Sequence, residues 1–334
     1  MRCYMKRIGL AIALLGLLTL MFRCDQKELF DLAKNGVTLI YAVTTDATNA
    51  CLLISDGKEY YKEFTLSPIP ASPVPDRVYA DRNRNVFVLV SSNKIVYFTK
   101  DKDPGREWGS QAFSYMPVDI TEDGQSTMIL FSNYIDPLYS YNDGSYTWSS
   151  RGKTMSAGNT PARLCYDRSS GQAFLLSTGS SLYVYNINNM PQAAAATPDY
   201  TFSSITSPFY FSYASGVFNV GNSNYYYAGT AGSLIPLNAS ALPSAVSYAA
   251  TDGGVYAGVN SPNLNLEALE AGNFAVKKTL PSTIGQIVMA PLNSHALAVG
   301  ISASTMDDGL YVYDTETNVL TKLLSRPIYA LYVR

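Results

Sequence analysis

An all-β fold built from one four-stranded unit repeated around a ring is what this sequence predicts, and three observations predict it. The composition favours strands. Among 334 residues are 26 tyrosines, turn-forming residues include 23 glycines, and only 15% of residues are charged. After residue 36, no long stretch carries the 3.6-residue apolar period of a helix. One short aromatic segment also recurs. SLYVYN (181–186), GLYVYD (309–314) and PLYSYN (137–142) share it, and KIVYFT (94–99) and NYYYAG (224–229) fill the same place. The step from Ile95 to Leu138, Leu182 and Tyr225 is about 43 residues, and Leu310 lies about two steps further on.

A second marker runs in parallel. Pro75, Pro117, Pro161, Pro208, Pro243, Pro281 and Pro327 each separate two strand-like segments. Two markers with one period of about 35 to 47 residues give the size of a four-stranded β-propeller blade. One blade reads in full at 161–202: strand a is ARLCYD, b is QAFLLST, c is SLYVYN, and d lies around DYTFSS. On this pattern the a strands start near Arg77, Val118, Ala162, Phe209, Ala245, Gly285 and Ile328. The last, IYALYVR, has no b, c or d after it, whereas VTLIYAVTT, ACLLIS and YYKEFTL (37–66) have no a before them. The C-terminal strand therefore completes the N-terminal blade and removes the open edges of the ring. The expectation is one seven-bladed domain over 37–334. Six blades are the alternative, because the pattern is weakest at 243–280.

The N-terminus follows a different logic. Arg2, Lys6 and Arg7 precede an apolar run from Ile8 to Phe22, the layout of a secretory signal, and the run is short for a membrane span. It ends at Cys24 and resembles a bacterial lipoprotein signal, which implies acylation of that thiol. Arg23 and Phe22 stand where small residues are usual. A released protein and an uncleaved anchor are the alternatives. Residues 1–24 are thus read as signal and 25–36 as tether. Removing the signal removes four bases and no acid, which takes the formal charge from −2 to −6 and argues against a nucleic-acid partner. Cys51 and Cys165 fall in distant blades and are expected as buried free thiols.

LYVYDTETNVLTKLLSRPIYALYV (310–333) resembles the YVTN-type repeat of surface and periplasmic propellers: an aromatic strand c, then Asp-x-x-Thr-x-x-Val, a strand d, and a proline before the next a strand. The resemblance implies a seven-bladed ring. It includes lactonases among its wider relatives, so it bears on fold more than on activity.

Tyr141–Trp148 resembles the Asp box of sialidases, with Tyr141 in place of the leading Ser and Ser145 in place of Gly. DPGREW (103–108) fills the same turn one blade earlier, and Asp56, Gly57 and Tyr61 form a weaker copy. The expected roles are local: the Asp carboxylate accepts backbone N–H groups across the turn, and the aromatic residue packs between blades. The sequence carries no arginine triad motif or other support for glycosidase chemistry. The single histidine, His295, is read as a turn residue. Asp81–Asn85 reads as a hairpin turn rather than a calcium loop, and Asp307-Asp308 as solvated carboxylates. No metal site and no cofactor is expected.

Candidate binding residues come from the face where the d–a and b–c loops meet around the channel. The residue two places after each repeat proline gives Arg77, Asp119, Arg163, Tyr210, Ala245, Thr283 and Tyr329. Two guanidiniums oriented by Asp119 would suit a carboxylate or phosphate, and the competing reading is an ion-pair network between blades. The Pro-rich SPIPASPVP (67–75) is expected as an extended loop on that face. The resulting expectation is an exported, lipid-anchored binding or scaffold module of a bacterial envelope, taking a protein or a small polar or anionic ligand. A lactonase-like hydrolase and a surface adhesin are the alternatives, and catalysis is the less favoured.

Overall fold

A computed structural model of the chain describes residues 37–58, 61–99, 108–167, 171–178, 181–202, 211–214, 217–220, 224–228, 234–237, 245–251, 254–260, 263–270, 273–280, 285–303 and 306–334. Cys24 and the tether lie outside the described residues. Among the described residues, seven four-stranded antiparallel sheets follow one another along the sequence. The first is composite, running Tyr61–Pro70, Asn49–Ser55, Ile40–Thr45 and then Ala330–Val333. The inner a strands of the others are Arg77–Ala80, Pro117–Glu122, Thr160–Asp167, Phe211–Ala214, Ala245–Thr251 and Gln286–Asn293. Each a strand touches the next, and Ala330–Val333 touches both Gln286–Asn293 and Arg77–Ala80, so the sheets close into a propeller.

The expected closure is present. Ala330–Val333 pairs antiparallel with Ile40–Thr45, with Ile40 opposite Val333 and Val43 opposite Ala330. Reciprocal backbone hydrogen bonds between Leu39 and Arg334 (2.6 and 2.9 Å) and one from Tyr329 N–H to the Val43 carbonyl (2.9 Å) seal the two ends of the pairing. Arg334 then donates to the Ala80 carbonyl (2.9 Å) and reaches Glu122 (3.5 Å), tying the closing strand to the next two blades.

The core lies in the seams between neighbouring sheets, because each sheet has another packed on both faces. Strands b therefore lack the alternation of a half-exposed strand. Val86–Val90 (VFVLV) and Thr127–Phe131 (TMILF) are buried at every position. The outer strands Thr147–Ser150 and Val319–Leu324 are largely exposed. One cluster joins Val78, Val86 and Val88 to Leu52, Ile54 and Leu66 across the seam of the first two sheets. Another joins Phe87 and Phe98 to Tyr141 and Trp148 across the next. Between the sixth and seventh sheets and at the closing seam, glycines admit a neighbour. A Cβ on Gly258 would stand 2.5 Å from Ile287, and one on Gly300 would stand 2.4 Å from Ile328.

The blade boundaries read from the prolines and the aromatic strand agree with these sheets, but two details differ. Ser67–Pro70 belongs to the outer strand of the first sheet, with Pro70 opposite Asn49, so only the second half of SPIPASPVP is a loop. An outer edge strand needs no N–H donor on its solvent side, which makes proline tolerable there. The loop around 193–199 also folds back. Ala195–Ala196 pairs in parallel with Thr154–Met155, the connector between the third and fourth sheets. Lys153 donates to the Met190 carbonyl, Ala193 N–H to that of Gly152 (3.1 Å), and Ser156 to that of Ala196 (3.1 Å). These bonds staple the rim of that seam. Cys51 and Cys165 are buried free thiols, as expected from their separation.

Candidate functional site

The channel-mouth face is built by the d–a connectors and b–c turns. Arg77, at the start of its strand, approaches Asp119 of the next blade at 3.8 Å and donates to the Asp76 carbonyl (2.7 Å). Asp119 accepts the Leu164 N–H (2.8 Å) from the blade beyond, and the Ile120 N–H (3.0 Å). Arg163 donates to the carbonyl of Ala162 (2.9 Å). Three successive blades are thus linked through one carboxylate, which also pairs with Arg77. Tyr210 and Thr283 lie outside the described residues.

Tyr329 stands in a cleft of about 530 Å³ where the ring closes, together with Val74, Pro75, Asp76, Gly285, Gln286 and Ser302. Asp76 is held there by the Ser91 N–H (3.1 Å) and hydroxyl (2.6 Å). The cleft joins the connectors entering three a strands, which is why residues far apart in sequence line it.

Sequence reasoning missed a different feature of this face. Tyr115 and Met116, before the third a strand, and Tyr134 and Ile135, in the b–c turn of the same sheet, are between 37% and 57% exposed. They supply four of the large apolar side chains most open to solvent among the described residues. The Ser132 N–H donates to the Met116 carbonyl (2.9 Å), joining the two loops. The staple fixes them from behind: Met155 N–H bonds the Tyr134 carbonyl (2.8 Å) and the Thr154 hydroxyl that of Ile135 (2.8 Å). The available signal was the presence of SYM and YI where hairpin tips ordinarily carry polar residues.

The Asp-box-like turn lies on the opposite face. Asn142, not Asp143, accepts the backbone N–H groups of Gly144 (3.0 Å) and Ser145 (3.2 Å). Asp143 crosses the seam to receive the amides of Asn83 (3.1 Å) and Asn85 (2.9 Å). Trp148 packs between blades as expected, 5.5 Å from Phe87 and 5.1 Å from Tyr141. Its counterpart Trp108 packs on the seam of the first two sheets. Residues 101–107 lie outside the described residues. Asp81 is the buried acceptor of its hairpin, taking the Asn85 N–H (2.7 Å). Burial pushes its carboxyl above the usual range despite that bond. His295 is exposed in its turn, 3.0 Å from Glu316. Among the described residues no group of three or more His, Cys, Asp or Glu could hold a metal, and no helix is long and apolar enough to cross a membrane.

No family model matches the chain, and no curated protein matches it. Among solved structures it is similar to the β-propeller domain of Cps50 (Swd1) from Myceliophteria thermophila. That likeness has 11% sequence identity and a TM-score of 0.55, covering 80% of this chain and 94% of that one. Closed ring and structural likeness together define a β-propeller repeat protein. Likeness at this identity carries the fold alone.

Proposed function

We propose that this chain is a protein-binding scaffold: an exported, lipid-anchored β-propeller of a bacterial cell envelope that engages its partner through the channel-mouth face. The observation that carries the reading is the apolar group Tyr115, Met116, Tyr134 and Ile135, exposed on two loops that are hydrogen-bonded to each other and to the staple. A rigid exposed patch rich in tyrosine and methionine has the composition of an interface core rather than of ordinary surface. Export and anchoring rest on the basic–apolar–Cys24 pattern of the first 24 residues. The Tyr329 cleft beside the Arg77–Asp119 pair is the place on the same face for a small polar or anionic group of the partner.

Affinity capture from envelope extract tests the binding face when the parent is compared with a Tyr134→Ser, Ile135→Ser double variant. The expected result is a partner recovered by the parent and lost from the variant, at unchanged melting temperature. Equal recovery by both would remove this patch from the function. Labelling with radioactive palmitate, in parent and Cys24→Ala, tests the anchor. Label present only in the parent is expected, and label in neither would sink lipidation.

A further inference from the structure

The ring closure fixes the face on which the N-terminal segment joins the propeller. Each a strand runs from the channel mouth to the opposite face, and the b strand beside it runs back. Ile40–Thr45 takes the b position, antiparallel to Ala330–Val333, so Ile40 lies at the end away from the channel mouth. The reciprocal Leu39–Arg334 hydrogen bonds (2.6 and 2.9 Å) hold it there. Arg334 in turn reaches Ala80 and Glu122, the last residues of the next two a strands. Leu39 is buried, whereas Val37 and Thr38 are exposed. The chain therefore enters on the face of the a–b and c–d turns, one strand spacing of about 5 Å from the inner strand rather than at the rim.

We propose, resting on the reading that Cys24 carries a lipid, that the ring stands with its a–b and c–d turns toward the membrane and its channel mouth away. Residues 25–36 alone separate Cys24 from Val37. A segment of that length spans about 20 Å, whether as a coil or as a helix, and about 45 Å fully extended. Turning the channel mouth to the membrane would take the tether outward past strands c and d, about 10 Å, and then along the height of a sheet. Asn49–Ser55 makes that height seven residues, or about 23 Å. The detour of about 33 Å exceeds the ordinary span of the tether and demands a largely stretched chain. The opposite placement needs no detour. Tyr115, Met116, Tyr134 and Ile135, on the channel-mouth face, then look away from the bilayer. The partner they fit is one free in the aqueous compartment or borne on a facing surface, rather than a protein embedded in the anchoring membrane.

Lipidated protein in vesicles containing nitroxide-labelled phospholipid tests this, with one fluorophore per molecule on an introduced cysteine; Cys51 and Cys165 are buried thiols. Gln125→Cys and Glu316→Cys put the probe on exposed turns of the entry face, in the third and seventh sheets. Ser92→Cys and Ser325→Cys put it at exposed positions of the channel-mouth face. Loss of fluorescence is expected at the first two sites and not at the second two. Lengthening the tether by about 30 glycine and serine residues after Gly36 raises its span to about 35 Å and should level the difference. Equal quenching of all four probes, or stronger quenching at Ser92 and Ser325, would overturn the orientation. A difference that survives the longer tether would overturn its cause. Failure of the anchor itself reads differently: the protein would not float with the vesicles and would take up no palmitate.

Discussion

At the scale of single residues, side chains that bridge blades carry more than their local turns suggest. Arg334 reaches both the Ala80 carbonyl and the buried carboxylate of Glu122. Arg334→Ala should therefore cost about 2 kcal/mol, less than the loss of a sole partner because Arg82 remains beside Glu122. Urea denaturation of the two proteins measures it. Gly300 is constrained from the opposite direction. Ile328 occupies the space a side chain would need, so Gly300→Val should cost about 2 kcal/mol through overpacking, read as a lower melting temperature. The turn at 142–147 shows where sequence reading stopped. The motif was legible, as was the packing role of Trp148. The division of labour between Asn142 and Asp143 was not, because the Asp143 partners Asn83 and Asn85 lie 60 and 58 positions away and meet it only after two sheets stack. The apolar tips at Tyr115 and Ile135 were overlooked for a related reason: periodicity reports strands and says nothing of which loop tips adjoin.

Among the elements, repetition made the strands readable and also hid the exception to it. Proline and aromatic markers recur because each blade needs the same connector and the same buried inner strands, so starts such as Arg77 and Ala245 match the observed strands. The Thr154–Met155 and Ala195–Ala196 pairing belongs to one seam only and leaves no periodic trace. Ala196 is buried there, packed with Met155 and Met190. Ala196→Asp would place a carboxylate among those methionines, and hydrogen exchange should then quicken at the Ala193 and Met155 amides while the a strands keep their protection. Unchanged exchange at those two amides would show that the staple bears no load.

Considered as a whole, the molecule should be sensitive to alkali. Burial pushes the Cys51 thiol up to about 11, with Glu63 and Asp46 acting in the same direction. Burial also pushes the Tyr41 phenol up to about 12 against the lowering influence of Arg334. Both sit in the first sheet, near its closure. Their unfolded counterparts lose protons near the ordinary values of 9.0 and 10.0, while the folded protein still holds them. The unfolded state then binds fewer protons, so stability falls as pH rises across that interval and is fully retained below it. Melting temperatures followed from about pH 8 to about pH 11 should decline, and Tyr41→Phe should decline less steeply.

The order in which the chain is made gives the closing strand one more meaning. Ile40–Thr45 is among the first described segments to be synthesised, and its partner Ala330–Val333 is almost the last. Until Ala330–Val333 has been made, the inner edge of the first sheet lacks the partner it has in the folded ring. The ring can close only after the last of its described strands has been made. Before closure, the same strand of another copy would fit that edge, which is the geometry of a strand exchange between molecules.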